Sequence, residues 1–275
     1  MKAMLFTLVL LAGTTAGFDK PESAYWYAPG RNWFVSNVAG SPVGKDGNGW
    51  IARLDESGKV TSEKWVSGLN APKGMRAHGG KLYVADIDQL RIIDVEKGEL
   101  LESVPYEGAK FLNDVAVGSD GTVYISDMIT SKIHTWSGGK AGTFLEGESI
   151  EHPNGILIDG DKLIIAAWGP GMDPASFATT SPGRVLTVDL KTKKVTPLGS
   201  GARVGNLDGI EKRGEGYLAT DYMTGNLYEI SADGSAKLLR DGFVNGADIG
   251  LDPARGLLAV PEMGAGKVTF IDLEN

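Results

Sequence analysis

The sequence has no cysteine and only three histidines. Without cysteine the chain forms no disulfides, offers no thiolate to a metal and has no cysteine nucleophile. Any bound metal must then be held by oxygen or imidazole ligands. Basic runs are also missing, and a formal net charge of −8 argues against binding the phosphates of nucleic acid. A cation or a small molecule suits this composition better.

Several catalytic signatures are missing as well. The chain has no Gly-x-Ser-x-Gly elbow, no P-loop and no dinucleotide-binding fingerprint. These absences argue against serine hydrolases of the elbow type, P-loop phosphotransferases and nicotinamide-dependent enzymes.

The apolar run at the N-terminus is too short to span a bilayer. In residues 1–17, Lys2 precedes this run and a stretch of small residues, which is typical of a secretory signal cleaved after Ala16 or Gly17. This pattern predicts a periplasmic or secreted protein. The alternative is that Leu5 to Leu11 is a structural β-strand, in which case the protein is cytoplasmic.

Glycine, in contrast, is abundant, with 39 residues beside 12 prolines, and this favours many short strands joined by turns. Short apolar segments end in a polar or aromatic residue at six places, spaced by 49, 41, 41, 53 and 41 residues. A period of this length is typical of a propeller or solenoid. We therefore predict an all-β, six-bladed β-propeller over residues 18–275, with four-stranded antiparallel blades around a central channel.

Two features of the repeat are irregular. The long spacings arise from insertions at Ala39 to Asn48 and Gly169 to Gly183, which we expect above one mouth of the channel as a lid or specificity wall. The last repeat stops at Asn275 before an outer strand can form. Either the N-terminal segment supplies that strand, or the ring closes with a three-stranded blade.

Polar residues recur where the innermost strand of each blade leaves the channel mouth. Among them are Glu22, Asn113, Asn154 and Asp208. Such residues are also ordinary turn formers, which is the plainer interpretation of each one taken singly. As a set they supply the oxygen ligands of a hard divalent cation, so we predict a metal site.

The order and spacing of these motifs resemble the regucalcin/gluconolactonase (senescence-marker-protein-like) family of six-bladed propellers, over the whole chain after about residue 18. The resemblance implies metal ligation by Glu22 of Glu22-Ser23-Ala24-Tyr25-Trp26, Asn154 of Pro153-Asn154-Gly155 and Asp208 of Leu207-Asp208-Gly209. Asn113 matches the asparagine of the family's Arg-x-Asn-Asp motif, whereas Phe111 stands where that motif has its substrate-binding arginine. A sugar acid is therefore a poorer expectation than a more apolar lactone or ester.

The resemblance implies metal-assisted hydrolysis of a small lactone or ester, and we expect the protein to be a monomer. Calcium is the expected metal, with zinc, magnesium and manganese as alternatives, and Asp208 is the candidate base as well as a ligand. Candidate substrate-binding residues are Asn113, Phe111, His152 and Trp168. The acidic residues that end the second strands either support the ligands and form a negative rim, or cap strands and bind backbone amides; they are Asp86, Asp127, Asp221 and Glu262. The competing hypothesis is a non-catalytic, metal-containing propeller that binds a ligand or protein partner.

Overall fold

Short segments of alternating polarity, separated by glycine-rich turns, favour antiparallel hairpins. In the computed structural model, which describes residues 9–273, they form twenty-four strands in six four-stranded antiparallel sheets. The predicted six-bladed propeller is therefore confirmed. Two short 3-10 helices, Ala28–Gly30 and Glu148–Ile150, complete the regular structure of these residues, and no helix among them is long and apolar enough to cross a membrane.

The strands occupy equivalent places in the six blades. The innermost strands are β2 (Pro21–Tyr27), β6 (Pro72–His78), β10 (Leu112–Val117), β14 (Pro153–Asp159), β18 (Leu207–Arg213) and β22 (Gly250–Asp252). The second strands are β3 (Asn32–Asn37), β7 (Lys81–Asp86), β11 (Val123–Asp127), β15 (Lys162–Ala167), β19 (Gly216–Asp221) and β23 (Leu257–Glu262). The third strands are β4 (Gly49–Asp55), β8 (Gln89–Asp94), β12 (Lys132–Ser137), β16 (Val185–Asp189), β20 (Asn226–Ile230) and β24 (Lys267–Leu273). The outer strands are β5 (Val60–Leu69), β9 (Leu100–Pro105), β13 (Lys140–Glu146), β17 (Val195–Pro197), β21 (Ala236–Arg240) and, in the sixth blade, β1 (Val9–Ala16).

The sixth blade combines the two ends of the chain. Strand β1 pairs antiparallel with β24, from Val9 opposite Leu273 to Ala16 opposite Lys267. Residues 5–8 of the strand considered at Leu5 to Leu11 lie outside the described residues. Leu10 and Leu11 are 44% and 56% exposed, so these two side chains add little to the core.

The core lies between neighbouring blades, where the faces of adjacent sheets meet. Between the first and sixth blades, for example, the fully buried Trp33 packs edge-on against Phe270 with ring centroids 5.6 Å apart. The inner strands of these blades are also joined through the backbone, since the amide of Asp248 donates to the carbonyl of Glu22 at 2.8 Å. This contact holds the segment that carries Glu22 against the closing blade.

Candidate metal and ligand site at the channel mouth

The second residue of the innermost strand faces the channel in five blades. These residues are Glu22, Lys73, Asn113, Asn154 and Asp208. In each of the five, the register with the second strand shifts directly after the first residue of the strand. A β-bulge of this kind releases a residue from the ladder and redirects its side chain. The repeat therefore aims five polar side chains at one mouth.

The inner strands can converge this closely because a glycine follows Asn154 and another follows Asp208. A Cβ added to Gly155 would lie 2.1 Å from the carbonyl oxygen of Asp208, and one added to Gly209 would lie 2.3 Å from the amide nitrogen of Ile249. Both distances are far below van der Waals contact, so any side chain at these positions would force neighbouring strands apart. Glycine here brings the polar side chains of adjacent blades into one cluster.

Hydroxyls on the second strands brace the bulges of the third and fifth blades. Ser126 Oγ accepts from the amide of Asp114 at 2.9 Å and donates to the carbonyl of Asn154 at 2.6 Å, so one hydroxyl joins the third and fourth blades. Thr220 similarly accepts from Gly209 and donates to the carbonyl of Ala247. Sequence reasoning missed these residues, although the hydroxyl recurs just before the acidic end of the second strand in Ile125-Ser126-Asp127 and Ala219-Thr220-Asp221.

The four predicted ligands line one cavity of about 190 Å³. Glu22, Asn113, Asn154 and Asp208 are between 1% and 4% exposed. Each keeps one buried side-chain oxygen that has no hydrogen-bond partner among residues 9–273: Glu22 Oε2, Asn113 Oδ1, Asn154 Oδ1 and Asp208 Oδ1. Buried oxygens are almost always satisfied, so four unsatisfied oxygens in one cavity indicate a site shaped for a ligand.

The charge balance around this cavity points to a cation. Burial and the nearby carboxylates of Asp208 and Asp248 raise the pKa of Glu22 well above its ordinary value. Burial also raises the pKa of Asp208 to about 7, against a hydrogen bond from Asn154 that lowers it. Below them in the channel, burial raises the pKa of Asp114 to about 6. Carboxylates that repel one another out of water are stabilised in their ionised form by a bound cation.

The donor set fits a hard divalent ion that accepts oxygen ligands. Two carboxylates and two amide oxygens are the chemistry that calcium takes, and the amides explain why no group of three or more histidine or acidic side chains is arranged for a metal within residues 9–273. The four unsatisfied oxygens are the observation that supports this fit.

Lys73 is a site residue that the sequence reasoning passed over. Its side chain lines the same cavity, is 1% exposed and lies over the ring of Phe111, with Nζ 4.5 Å from the ring centroid. Burial lowers the pKa of Lys73, although the carboxylates of Glu22 and Asp86 oppose that shift. Its place in the repeat, second in Pro72-Lys73-Gly74, was the available signal.

One wall of the cavity is apolar. It contains Phe111 and Trp168, two of the predicted substrate-binding residues, together with Met128, Phe177 and Tyr222. The Trp168 indole donates to the carbonyl of Phe177 at 2.8 Å, which fixes the insertion Gly169 to Gly183 against the mouth. Burial raises the pKa of Tyr222 to about 12, so this phenol stays protonated at neutral pH. The insertion thus contributes an aromatic cover, and Ser176 and Phe177 from it line the cavity.

His152 lies outside the cavity lining. It is buried with a left-handed backbone, and its Nδ1 is 2.9 Å from the carbonyl oxygen of Met128. The imidazole therefore sits behind Met128. Asn113, by contrast, reaches the cavity directly.

The acidic residues that end the second strands bind backbone amides. Asp86 accepts from the amides of Asn70 and Ala71, and Asp127 accepts from Lys110 and Phe111. These amides belong to the segments leading into Lys73 and Asn113.

Asp221 and Glu262 behave similarly, since Asp221 accepts from the amide of Met223 and Glu262 from that of Val244. None of the four acidic residues at the strand ends lines the described cavity, so their contact with the site is through the loops that they hold.

No family model matches the chain, and no curated protein matches its sequence. Solved structures share its fold. A gluconolactonase from Xanthomonas campestris is similar with a TM-score of 0.70 and 16% identity, over 100% of this chain and 93% of that one. A catalytically inactive virginiamycin B lyase from Staphylococcus aureus with quinupristin has a TM-score of 0.64 and 12% identity, over 97% and 100%. A chain of a nidogen/laminin complex has a TM-score of 0.62 and 13% identity, over 78% of each chain. These similarities show a gluconolactonase-like propeller fold, which hosts enzymes and protein-binding modules alike.

Proposed function

We propose that this protein is a metal-dependent hydrolase that opens a small lactone or cleaves a small ester at the mouth of the channel. The observation that carries the proposal is the set of four buried, unsatisfied oxygens on Glu22, Asn113, Asn154 and Asp208 in a single cavity. The gluconolactonase-like fold supports the reaction class by analogy. The apolar wall supports a substrate less polar than a sugar acid.

The four residues would hold a divalent ion, calcium first, through the oxygens that lack partners. When bound, such an ion polarises a carbonyl and offsets the negative charge that develops on it. Asp208 is also the carboxylate that takes a proton from the attacking water, through the oxygen that does not hold the ion. Phe111, Trp168 and Phe177 exclude water from the apolar side of the cavity and hold the non-reacting part of the substrate.

The test is a panel of sugar lactones, aliphatic lactones and aryl esters, each assayed with calcium, zinc, magnesium or manganese. Wild type is compared with Asp208→Asn and with the matched control Asp159→Asn, whose carboxylate accepts from Lys212 and Tyr217 on the rim away from this cavity. We expect turnover in wild type and Asp159→Asn and its loss in Asp208→Asn. Absence of turnover for every substrate and metal in wild type would overturn the enzymatic proposal.

A second candidate is a non-catalytic propeller that keeps the metal and binds a ligand or protein at the mouth. The likeness to a chain of a nidogen/laminin complex favours it, because that propeller structure is of a protein assembly. Stoichiometric metal in the wild type, lost in Glu22→Ala, together with no hydrolysis of the panel, would select this candidate. Failure to bind any divalent ion would exclude both.

We also propose that residues 1–17 direct the protein to the periplasm or beyond. Cleavage after Ala16 or Gly17 would remove strand β1 from the sixth blade. It would also remove the hydrogen bond that Thr15 Oγ1 donates to the carbonyl of Gly58 at 2.6 Å. Mass spectrometry of the N-terminus of the exported protein tests this. A mature chain that begins before Val9 would show instead that β1 is retained to close the ring.

A further inference from the structure

Lys73 carries a buried charge without a carboxylate partner. No Asp or Glu oxygen among residues 9–273 lies within 4.0 Å of its Nζ, although the side chain is 1% exposed. Buried charges are normally paired, because removing an ammonium from water costs several kcal/mol. The position of Lys73 therefore needs an explanation beyond packing.

Two carbonyls and an aromatic ring hold the ammonium in place. Nζ donates to the carbonyl oxygen of Pro42 at 3.0 Å and to that of Ala71 at 2.9 Å, and it lies over Phe111. An ammonium has three N–H donors, so these two bonds leave one donor available. Pro42 belongs to the insertion Ala39 to Asn48, which places this insertion as well as the aromatic one at the cavity.

The surroundings of Lys73 define what can approach it. It is the one cationic side chain among the described residues that line the cavity, and it stands where the polar floor at Glu22 meets the apolar wall at Phe111. A ligand that binds the Lys73 ammonium and also packs against Phe111 needs an acceptor oxygen, preferably charged, joined to an apolar group. A sugar lactone has the oxygens and lacks the apolar body.

We propose that Lys73 is a ligand-binding residue whose ammonium binds a carboxylate or carbonyl oxygen of an apolar molecule packed against Phe111, Trp168 and Phe177. The proposal rests on the proposed function in naming the substrate class, since hydrolysis of an apolar lactone or ester yields such a carboxylate. The binding itself requires no turnover. It therefore has a readout that is separate from activity.

The experiment compares 4-phenylbutyrate with its neutral counterpart 4-phenylbutanol by calorimetry, in metal-saturated protein. For wild type we expect the acid to bind about 30-fold more tightly, the range of a charge-assisted hydrogen bond in a buried site. Lys73→Met should remove this preference while alcohol binding stays within about threefold, which shows that the cavity is intact. Lys45→Met is the matched control, because Lys45 is an exposed lysine on the same insertion as Pro42 that pairs with Asp88.

Lys73→Arg keeps the charge and is expected to keep the preference for the acid, which covers the case in which Lys73→Met does not fold. Equal binding of acid and alcohol by wild type would overturn the proposal, as would a preference that survives in Lys73→Met. Asp208→Asn separates the two proposals. If Lys73 binds the oxygen as proposed, the acid preference persists in that variant even when turnover is lost. Loss of the preference in Lys73→Met without any turnover in wild type would leave this binding role standing and remove the hydrolase.

Discussion

The two ends of the central channel differ in how their polar side chains are satisfied. At the mouth described above, Glu22, Asn113, Asn154 and Asp208 each keep an oxygen without a partner among the described residues. Around a second cavity, of about 180 Å³, lie Arg76, Glu211 and Lys212. There Arg76 Nη1 contacts Glu211 Oε1 at 2.9 Å, and Lys212 Nζ contacts Asp159 Oδ2 at 2.7 Å.

Both cavities are lined by residues of the inner strands β6, β10, β14 and β18, so the contrast does not come from the fold. A charged group that serves only stability is expected to be paired within the protein, as at the second cavity. Oxygens left unpaired in a buried site cost stability unless something else satisfies them. The difference supports the proposal of a ligand at the first mouth, whereas the ion pairs at the second serve stability.

The same substitution at the two ends should give the largest contrast. Glu22→Gln is expected to weaken divalent metal binding by about 100-fold or more, because it removes one of two anionic ligands. Glu211→Gln should leave metal affinity unchanged within about twofold, since Glu211 contacts Arg76 and lies away from the cavity. Calorimetric titration of both variants measures this. Equal losses in the two variants would remove the distinction between the ends.

The second cavity should respond in stability instead. Arg76→Met leaves Glu211 without its partner, and we expect the free energy of unfolding to fall by about 3 kcal/mol. Arg31→Met, which removes an ion pair with the exposed Glu56, should have no measurable effect. Urea denaturation followed by tryptophan fluorescence gives both values. A large loss of metal affinity in Arg76→Met would contradict the separation of roles.

The pH dependence of the metal-free protein should also report on the first mouth. The pKa values of Glu22 and Asp208 are higher in the folded chain than in the unfolded chain. At a pH between the two values, the folded chain keeps protons that the unfolded chain has released. Stability is therefore fully present below the ordinary carboxyl pKa of about 4 and is lost as pH rises through about 7, the folded value for Asp208.

Thermal unfolding measured from about pH 4 to about pH 8, with and without metal, follows this loss. The series begins near the ordinary carboxyl pKa and ends above the folded pKa of Asp208. As the pH rises, we expect the unfolding temperature of the metal-free protein to fall and the increase in unfolding temperature caused by metal to grow. A metal-free protein that becomes more stable as the pH rises would show that these carboxylates are not the dominant ionisations.

The smallest effect is expected from removing the Thr220 hydroxyl, which supports the bulge beside Asp208. Thr220→Val keeps the shape of the side chain but removes the hydroxyl that links Gly209 to Ala247, and it should loosen Asp208 and weaken metal binding by about 10-fold. Thr187→Val removes a comparable hydrogen bond to Thr196 on the outer part of the fourth blade. Its metal affinity should stay within about twofold of wild type. If both variants bind metal as tightly as wild type, the hydroxyl is not needed to position the ligand.

Much of the fold could be predicted because a propeller repeats one local pattern. The strand ends at Asp86, Asp127 and Asp221 were placed correctly, since apolar runs and turn residues are local signals that recur in phase. The candidate ligands could be named for the same reason, as each occupies one position of the repeat.

The sequence by itself determined the number of blades, the position of the repeat that faces the channel and the oxygen chemistry at that position. Only the tertiary structure decided which of these groups remain unsatisfied, because hydrogen bonds such as those of Ser126 join different blades. It turned His152 toward the carbonyl of Met128 and brought Lys73 over Phe111, 38 positions further along the chain. Contacts between residues so far apart depend on how the blades meet, and no local pattern encodes them.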